Sequence, residues 1–288
     1  VPEPTPRRLA VAVTQWSATQ DVAANLALAC RAIDRGGAAG ADLVLLPENG
    51  LCLGSNAQMR AAALADDAPE LATLAAAARA ARTAVVLGGF KHRHADGTVM
   101  NTALAIDAAG RVAGHYDKIH LFDANVGGQA FAASSVESRG RTPVLLELGG
   151  VRLGLTICYD VRFPELYRRL ALAGAEVLLV PSAFTYVTGR AHWEVLMRAR
   201  AIENAAFVVA SATVRGPAGS EDAFPTYGHG LVVDPWGEVV ADLGEAQEAC
   251  QVVTLDLARV ADVRGRLPAL SHVQPAAYAA EPSVVALG

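Results

Sequence analysis

VLLVP at residues 177–181 and FVVASA at 207–212 are apolar at almost every position, without the alternation of a strand that faces water on one side. Runs of this kind read as strands buried on both faces. The intervening residues 192–204 carry apolar side chains at helical spacing, so the stretch reads strand–helix–strand. Moving toward the N-terminus, residues 164–173 form a helix with Gly174 just past its end. Before that, residues 144–148 and 151–158 make strands around Gly149-Gly150. Moving toward the C-terminus, residues 231–234 and 238–243 pair across Pro235-Trp236-Gly237, and 250–255 adds a strand before a short helix.

The first half has the same grammar. Residues 9–14 (LAVAVT) form a strand. A helix capped by Asp21 carries Val22, Leu26, Ala29 and Ile33 on one side and is expected to end at Gly36-Gly37. Residues 42–46 give a strand stopped by Pro47, a helix enters through Asp67 and Pro69, and residues 84–90 give a strand. Residues 101–107 and 111–116 form a hairpin over Ala109-Gly110. So many strands and helices fit an α/β fold of two packed sheets, each covered outside by helices. No Gly-, Ser- or Pro-rich linker divides the chain, so residues 1–288 read as a single domain with its core at about 9–260.

Composition narrows the function. With 52% hydrophobic and 18% charged residues the chain is not disordered, and a net charge of −5 argues against a nucleic-acid partner. The longest apolar runs are too short to span a bilayer, which argues against a membrane partner. Cys30, Cys52, Cys158 and Cys250 form no CxxC pair, so a thiolate metal site is unsupported and the thiols are read as reduced. The first eight residues lack an apolar signal region; together these features point to the cytoplasm.

Three segments end an apolar strand on a reactive side chain: 45–48 (LLPE), 116–120 (YDKIH) and 155–160 (LTICYD). Ligands of α/β proteins gather at such strand ends. Glu48, Lys118 and Cys158 are the reactive groups so placed, although each by itself also reads as a loop carboxylate, a surface lysine and a buried core thiol, respectively. Cys30 lies in a helix's apolar pattern and Cys250 opens a strand, so both read as core; Cys52 is a weaker alternative thiol. His92 and His94 alternate on a hairpin without a third ligand nearby in sequence, and read as a solvated face rather than a metal site.

Longer text carries a resemblance: 45–49 (LLPEN), 116–123 (YDKIHLFD), 158–167 (CYDVRFPELY), 181–185 (PSAFT), 189–203 (GRAHWEVLMRARAIE), Gly228-His229 and 233–237 (VDPWG). In these the chain resembles the nitrilase, or carbon–nitrogen hydrolase, superfamily, nearest its amidase branches of the omega-amidase and deaminated-glutathione amidase type. The resemblance implies a four-layer α-β-β-α sandwich that pairs through its helices into a homodimer, with the tail at 261–288 at the interface. It carries over Glu48, Lys118 and Cys158 as a triad that hydrolyses a small, carboxylate-bearing linear amide to acid and ammonia through a thioester. It implies no metal and no organic cofactor. A nitrile, an N-carbamoyl acid, or a non-catalytic scaffold role are the alternatives.

Around the triad, the Tyr159 backbone N–H is a candidate oxyanion donor. Phe184 and Thr185 resemble residues lining an acyl pocket. Arg162 either clamps a substrate carboxylate or pairs with Asp160 or Glu165. His120 and His192 are assigned structural hydrogen bonds. The family's second glutamate is replaced by Ala133; Glu137 either supplies that carboxylate through a shifted loop or is a surface residue. Residues 125–129 (NVGGQ) look inserted beside this position.

Overall fold

The computed structural model describes residues 7–220 and 224–287. The chain enters through β1 (Arg8–Trp16), α1 (Val22–Ala38) and β2 (Leu43–Leu45), then α2 (Asn56–Ala61) and α3 (Pro69–Ala81). Next come β3 (Ala84–Arg93), β4 (Val99–Ile106) and β5 (Val112–Asp117), followed by a small ribbon of β6 (Asp123–Val126) and β7 (Gln129–Ala132). The second half runs β8 (Val144–Leu148), β9 (Val151–Leu155), α4 (Pro164–Leu172), β10 (Val177–Leu179), α5 (Tyr186–Asn204) and β11 (Phe207–Ala210). It closes with β12 (Ala212–Thr213), β13 (Leu231–Val233), β14 (Val239–Asp242), β15 (Glu248–Asp256), α6 (Ala258–Arg266) and α7 (Pro275–Tyr278).

Two mixed sheets result. One is ordered β12-β1-β2-β3-β4-β5 with β15 also along β1; the other is β14-β13-β11-β10-β9-β8. Alternation sorts the side chains between layers. Val11, Val13, Leu43, Leu45 and Val86 join Leu153, Leu155, Val177 and Leu179 between the sheets. Ala12, Val44, Leu46, Val85 and Leu87 face outward, onto Ala29 and Ile33 of α1 and Leu71, Leu74 and Ala78 of α3. On the far side, Tyr167 and Leu170 of α4 and Trp193, Met197 and Ala201 of α5 belong to the core of the second sheet. The fold is the expected four-layer α-β-β-α sandwich.

Several boundaries differ from the sequence reading for packing reasons. Helix α1 is capped by Asp21, which accepts from the Ala24 N–H, but it runs through Gly36-Gly37 to Ala38. Those glycines are points of close approach: a Cβ at Gly36 would lie 2.6 Å from Val44 Cγ2, and one at Gly37 would lie 2.7 Å from Ala81 Cβ. Helix α5 begins at Tyr186, a turn and a half before the expected start. The run at 207–213 is divided: β11 belongs to the second sheet, whereas β12 pairs in parallel with β1 of the first. Ser211 lies at the crossing, where its Oγ donates to Leu45 O at 2.7 Å and accepts from Thr14 N at 2.9 Å. The stretch at 125–129 is the β6–β7 turn, with Gly127 and Gly128 both at positive φ as a tight hairpin requires. No helix among the described residues is long and apolar enough to cross a membrane.

Candidate active site

Glu48 follows β2 by a short turn, and the neighbouring Gly88-Gly89 lets other chain segments crowd against it. The β3–β4 register slips between Leu87 and Phe90, a bulge that places Gly89 at φ +66°. A Cβ at Gly88 would lie 2.1 Å from Leu46 O and 2.2 Å from Pro181 Cβ; one at Gly89 would lie 2.9 Å from Glu48 Cγ. Gly88 is required by the approach of Pro181 from the other half of the protein, and Gly89 by its positive φ and the closeness of Glu48.

The Glu48 carboxylate is almost completely buried and fully engaged. Its Oε1 accepts from Lys118 Nζ at 2.7 Å and Asn101 Nδ2 at 3.0 Å; its Oε2 accepts from the Ala183 backbone N–H at 2.8 Å. Burial pushes this carboxyl up, but the Lys118 charge and hydrogen bond, with Lys91 beyond, override it and hold the group below its ordinary range. Lys118 is equally buried; burial disfavours its charge, yet Glu48, Cys158 and Glu137 raise it above the ordinary lysine value. The resting pair is therefore carboxylate and ammonium.

Cys158 is not the last residue of a strand as expected. Strand β9 stops at Leu155, and Cys158 opens a 3-10 turn at positive φ, 46°, an uncommon conformation for a residue with a side chain. Its N–H donates to Pro181 O at 2.9 Å. Asp160 locks the turn by accepting from Ile157 N at 2.9 Å, Tyr116 Oη at 2.7 Å and His120 N at 3.1 Å. Strain held this way, by surrounding bonds, is a recurrent property of reactive sites. Burial raises the Cys158 thiol well above its ordinary value, Glu48 raises it further, and Lys118 opposes both. The thiol is thus protonated at rest, with an ionised carboxylate beside it.

These three side chains line one cavity of about 70 Å³, together with Lys91, Asn101, Ala133 and Glu137. Glu137 is not a surface residue. Its side chain is 1% exposed and ion-paired with Lys91 Nζ, and it adds to the field at Lys118. The Ala133 replacement thus leaves a carboxylate in the cavity, delivered from the next turn, where Glu137 N donates to Ala133 O at 3.0 Å. Phe184 and Thr185 also reach the nucleophile, lining a second recess with Cys158, Tyr159 and Arg162. Arg162 makes no ion pair with Asp160 or Glu165; it stacks over Phe184 at 5.0 Å and contacts His192 Nδ1 at 3.2 Å. His120 has the structural bond expected, to Asp160 Oδ1 at 2.7 Å, and stacks on Phe163.

The other thiols stay outside the cavity: Cys30 and Cys250 pack with the outer core on α1, and Cys52 lies among Leu51, Met59 and Phe90. The cavity's Lys91 and Asn101, which bond to Glu137 and Glu48 respectively, escaped the sequence reading. Lys91 and Asn101 face each other across β3–β4, and the available signal was a lysine inside an otherwise apolar strand run. The solvated-face reading of His92 and His94 is also corrected. His92 is 4% exposed on the face of β3 opposite Lys91, because the strand continues under the loop at Leu64–Asp66 rather than ending at Phe90.

The α-β-β-α sandwich thus brings a buried acid, amine and thiol together in one cavity. The carbon-nitrogen hydrolase family model matches residues 10–265, and the chain belongs to that family. It is a hydrolase of carbon–nitrogen bonds, of the amidase kind, within the nitrilase superfamily. It is 38% identical over 266 residues to the deaminated glutathione amidase of Synechocystis, covering 91% of this chain and 96% of that protein. The crystal structure of Caenorhabditis elegans NitFhit superposes with a TM-score of 0.86 at 37% identity, covering 96% of this chain and 67% of that one. Saccharomyces cerevisiae Nit3, a member of branch 10 of the nitrilase superfamily, gives 0.82 at 30% identity, covering 91% and 95%.

Proposed function

We propose that the protein hydrolyses a small carboxylate-bearing amide through a thioester on Cys158. The observation that carries this reading is the meeting of Glu48, Lys118 and Cys158 in one buried cavity, with the thiol protonated and the carboxylate ionised. As Sγ attacks the substrate carbonyl carbon, the thiol proton passes to Glu48. The carbonyl oxygen becomes an oxyanion that accepts hydrogen bonds from Lys118 Nζ and the Tyr159 N–H. Collapse breaks the C–N bond, and Glu48 gives its proton to the departing nitrogen. Water then enters, Glu48 takes its proton, the C–S bond breaks, and the thiol recovers that proton. Glu137 and Lys91 hold the cavity's charge in balance around Lys118.

Arg162, without an ion-pair partner among the described residues, is the group that would clamp the substrate carboxylate. The leaving group divides two substrate classes. A primary omega-amide would release ammonia, which the small cavity itself suits. A larger cleft of about 600 Å³ shares Asn56, Phe131 and Phe224 with that cavity and has room for a leaving peptide. That cleft and the likeness to deaminated glutathione amidases favour a deaminated glutathione as substrate. We further propose a homodimer formed by the outer face of α5, where Val187, Val195 and Ile202 are exposed, together with the tail at 261–288. A single domain and a cytoplasmic location complete the proposal.

The test is intact-mass analysis of purified protein mixed with deaminated glutathione and with primary omega-amides of 2-oxo acids. An acyl adduct on Cys158, absent in Cys158→Ala, supports the reading. Turnover unchanged in Cys158→Ala, or no hydrolysis of any such amide by folded protein, overturns it. Sedimentation showing monomer alone removes the dimer.

A further inference from the structure

Behind the wall of the cavity, on the opposite face of the same sheet, lies a second cluster of polar side chains. Neighbouring strand residues point to opposite faces. Lys91 and Lys118 turn toward the cavity, whereas His92 of β3, His94 just past its end, and His115 and Asp117 of β5 turn away from it. One ligand atom from each of His92, His94 and Asp117 lies within 4.8 Å of the others. His94 Nε2 is 3.5 Å from Asp117 Oδ1, and His115 Nε2 is 3.7 Å from Asp117 Oδ2. Two ligands on a tetrahedral zinc ion stand about 3.3 Å apart, given bond lengths near 2.0–2.1 Å. The side chains are thus already close to the spacing a shared cation needs.

The hydrogen bonding is unfinished in a way that points the same direction. His92 Nδ1 and His94 Nε2 are buried nitrogens without a hydrogen bond among the described residues. On the far side of its ring, His92 Nε2 is bonded to Asp66 Oδ1 at 2.8 Å. A carboxylate accepting there fixes the tautomer, placing the proton on Nε2 and leaving a lone pair on Nδ1. Metal-binding histidines are commonly oriented by such a partner. Asp117 is oriented as well, since Thr102 Oγ1 donates to its Oδ1 at 2.6 Å. The half-exposed His115 leaves a route from solvent.

We propose that His92, His94 and Asp117 form a binding site for a divalent transition-metal ion of the zinc or cobalt type. The donor set of imidazole nitrogens and one carboxylate matches that class rather than calcium or magnesium, which take mainly oxygen ligands. The ion is not part of the hydrolytic chemistry. It ties β3 to β5 directly behind Lys91 and Lys118, holding the sheet that presents both cations to the cavity.

The test uses untagged full-length protein, stripped with chelator and titrated with Co²⁺ alone, followed by visible absorption. The expected result is saturation at a single equivalent per chain, with ligand-field bands, no sulfur-to-cobalt charge transfer, and displacement by Zn²⁺. Asp66→Asn, on an exposed side chain, weakens binding ~10–100-fold, the range for losing a ligand's orienting partner. His94→Ala removes the saturable site, and Cys158→Ala leaves it intact. Absence of saturable binding, a sulfur charge-transfer band, or unchanged affinity in His94→Ala would each overturn the proposal.

Discussion

Replacing Glu48 by Gln tests whether the cavity is held by charge or by shape. Glutamine preserves the volume but converts one carboxylate oxygen into an NH2 group. If the remaining oxygen keeps the Lys118 and Asn101 bonds, the new amide donor confronts the Ala183 N–H, now 2.8 Å from Oε2. If it turns the other way, the donor confronts the Lys118 ammonium. Either orientation leaves a buried donor unsatisfied, worth about 1–3 kcal/mol. Removing one member of a buried ion pair costs about 3–5 kcal/mol in all, because the other charge loses its counterion. Against a urea dependence near 3 kcal/mol per molar, the upper end for small proteins, the unfolding midpoint falls by about 1–1.7 M. The assay is urea denaturation of wild type, Glu48→Gln, Lys118→Met and the double variant. The double variant is expected to be more stable than the sum of the single losses, since it leaves no lone charge. A midpoint shift below about 0.3 M in Glu48→Gln, or strict additivity in the cycle, would refute the reasoning.

The other expectations are narrower. Gly88→Ala sets a Cβ against Leu46 O and Pro181 Cβ, so thermal melts should show a loss of about 1–3 kcal/mol, the usual cost of overpacking, together with reduced turnover. The Glu48 carboxyl is depressed, so its contribution to stability is present above the ordinary carboxylate range and disappears as pH falls through its lower folded value. Lys118 is raised, so its contribution is present below the ordinary lysine value and is lost as pH rises beyond it. Stability measured by urea titration should therefore show no step from this pair between about pH 5 and 9. Lys118→Ala should lower kcat by ~10²–10³ through loss of an oxyanion donor, checked by steady-state kinetics on folded variant.

Much of the architecture was legible from local pattern. Apolar runs such as 177–181 are strands because only a two-sided core repays burying them. Asp21 and Pro164 mark helix starts because their chemistry serves the first turn whatever lies beyond it. The glycine pair at 36–37 misled for the complementary reason. A glycine can end a helix or admit a neighbour, and only the presence of Val44 and Ala81 decides which. Likewise, FVVASA reads as one strand, yet hydrogen bonding to Thr14 and Leu45 transfers the chain at Ser211 from one sheet to the other.

The candidate site divides along the same line. Glu48, Lys118 and Cys158 could be named from sequence as candidates because three strand-end segments occur together, in order, within longer text that resembles one family. Their ionisation could not, because it depends on burial and on charges distant along the chain. A free cysteine and glutamate would titrate ordinarily; buried with Lys118 in one cavity, the acid is held ionised and the thiol protonated. The tertiary structure alone turned Glu137 inward to meet Lys91, and gathered His92, His94 and Asp117 onto the reverse face of the sheet. Electrostatic energy depends on distance and on excluded water, and neither quantity exists until the strands have paired.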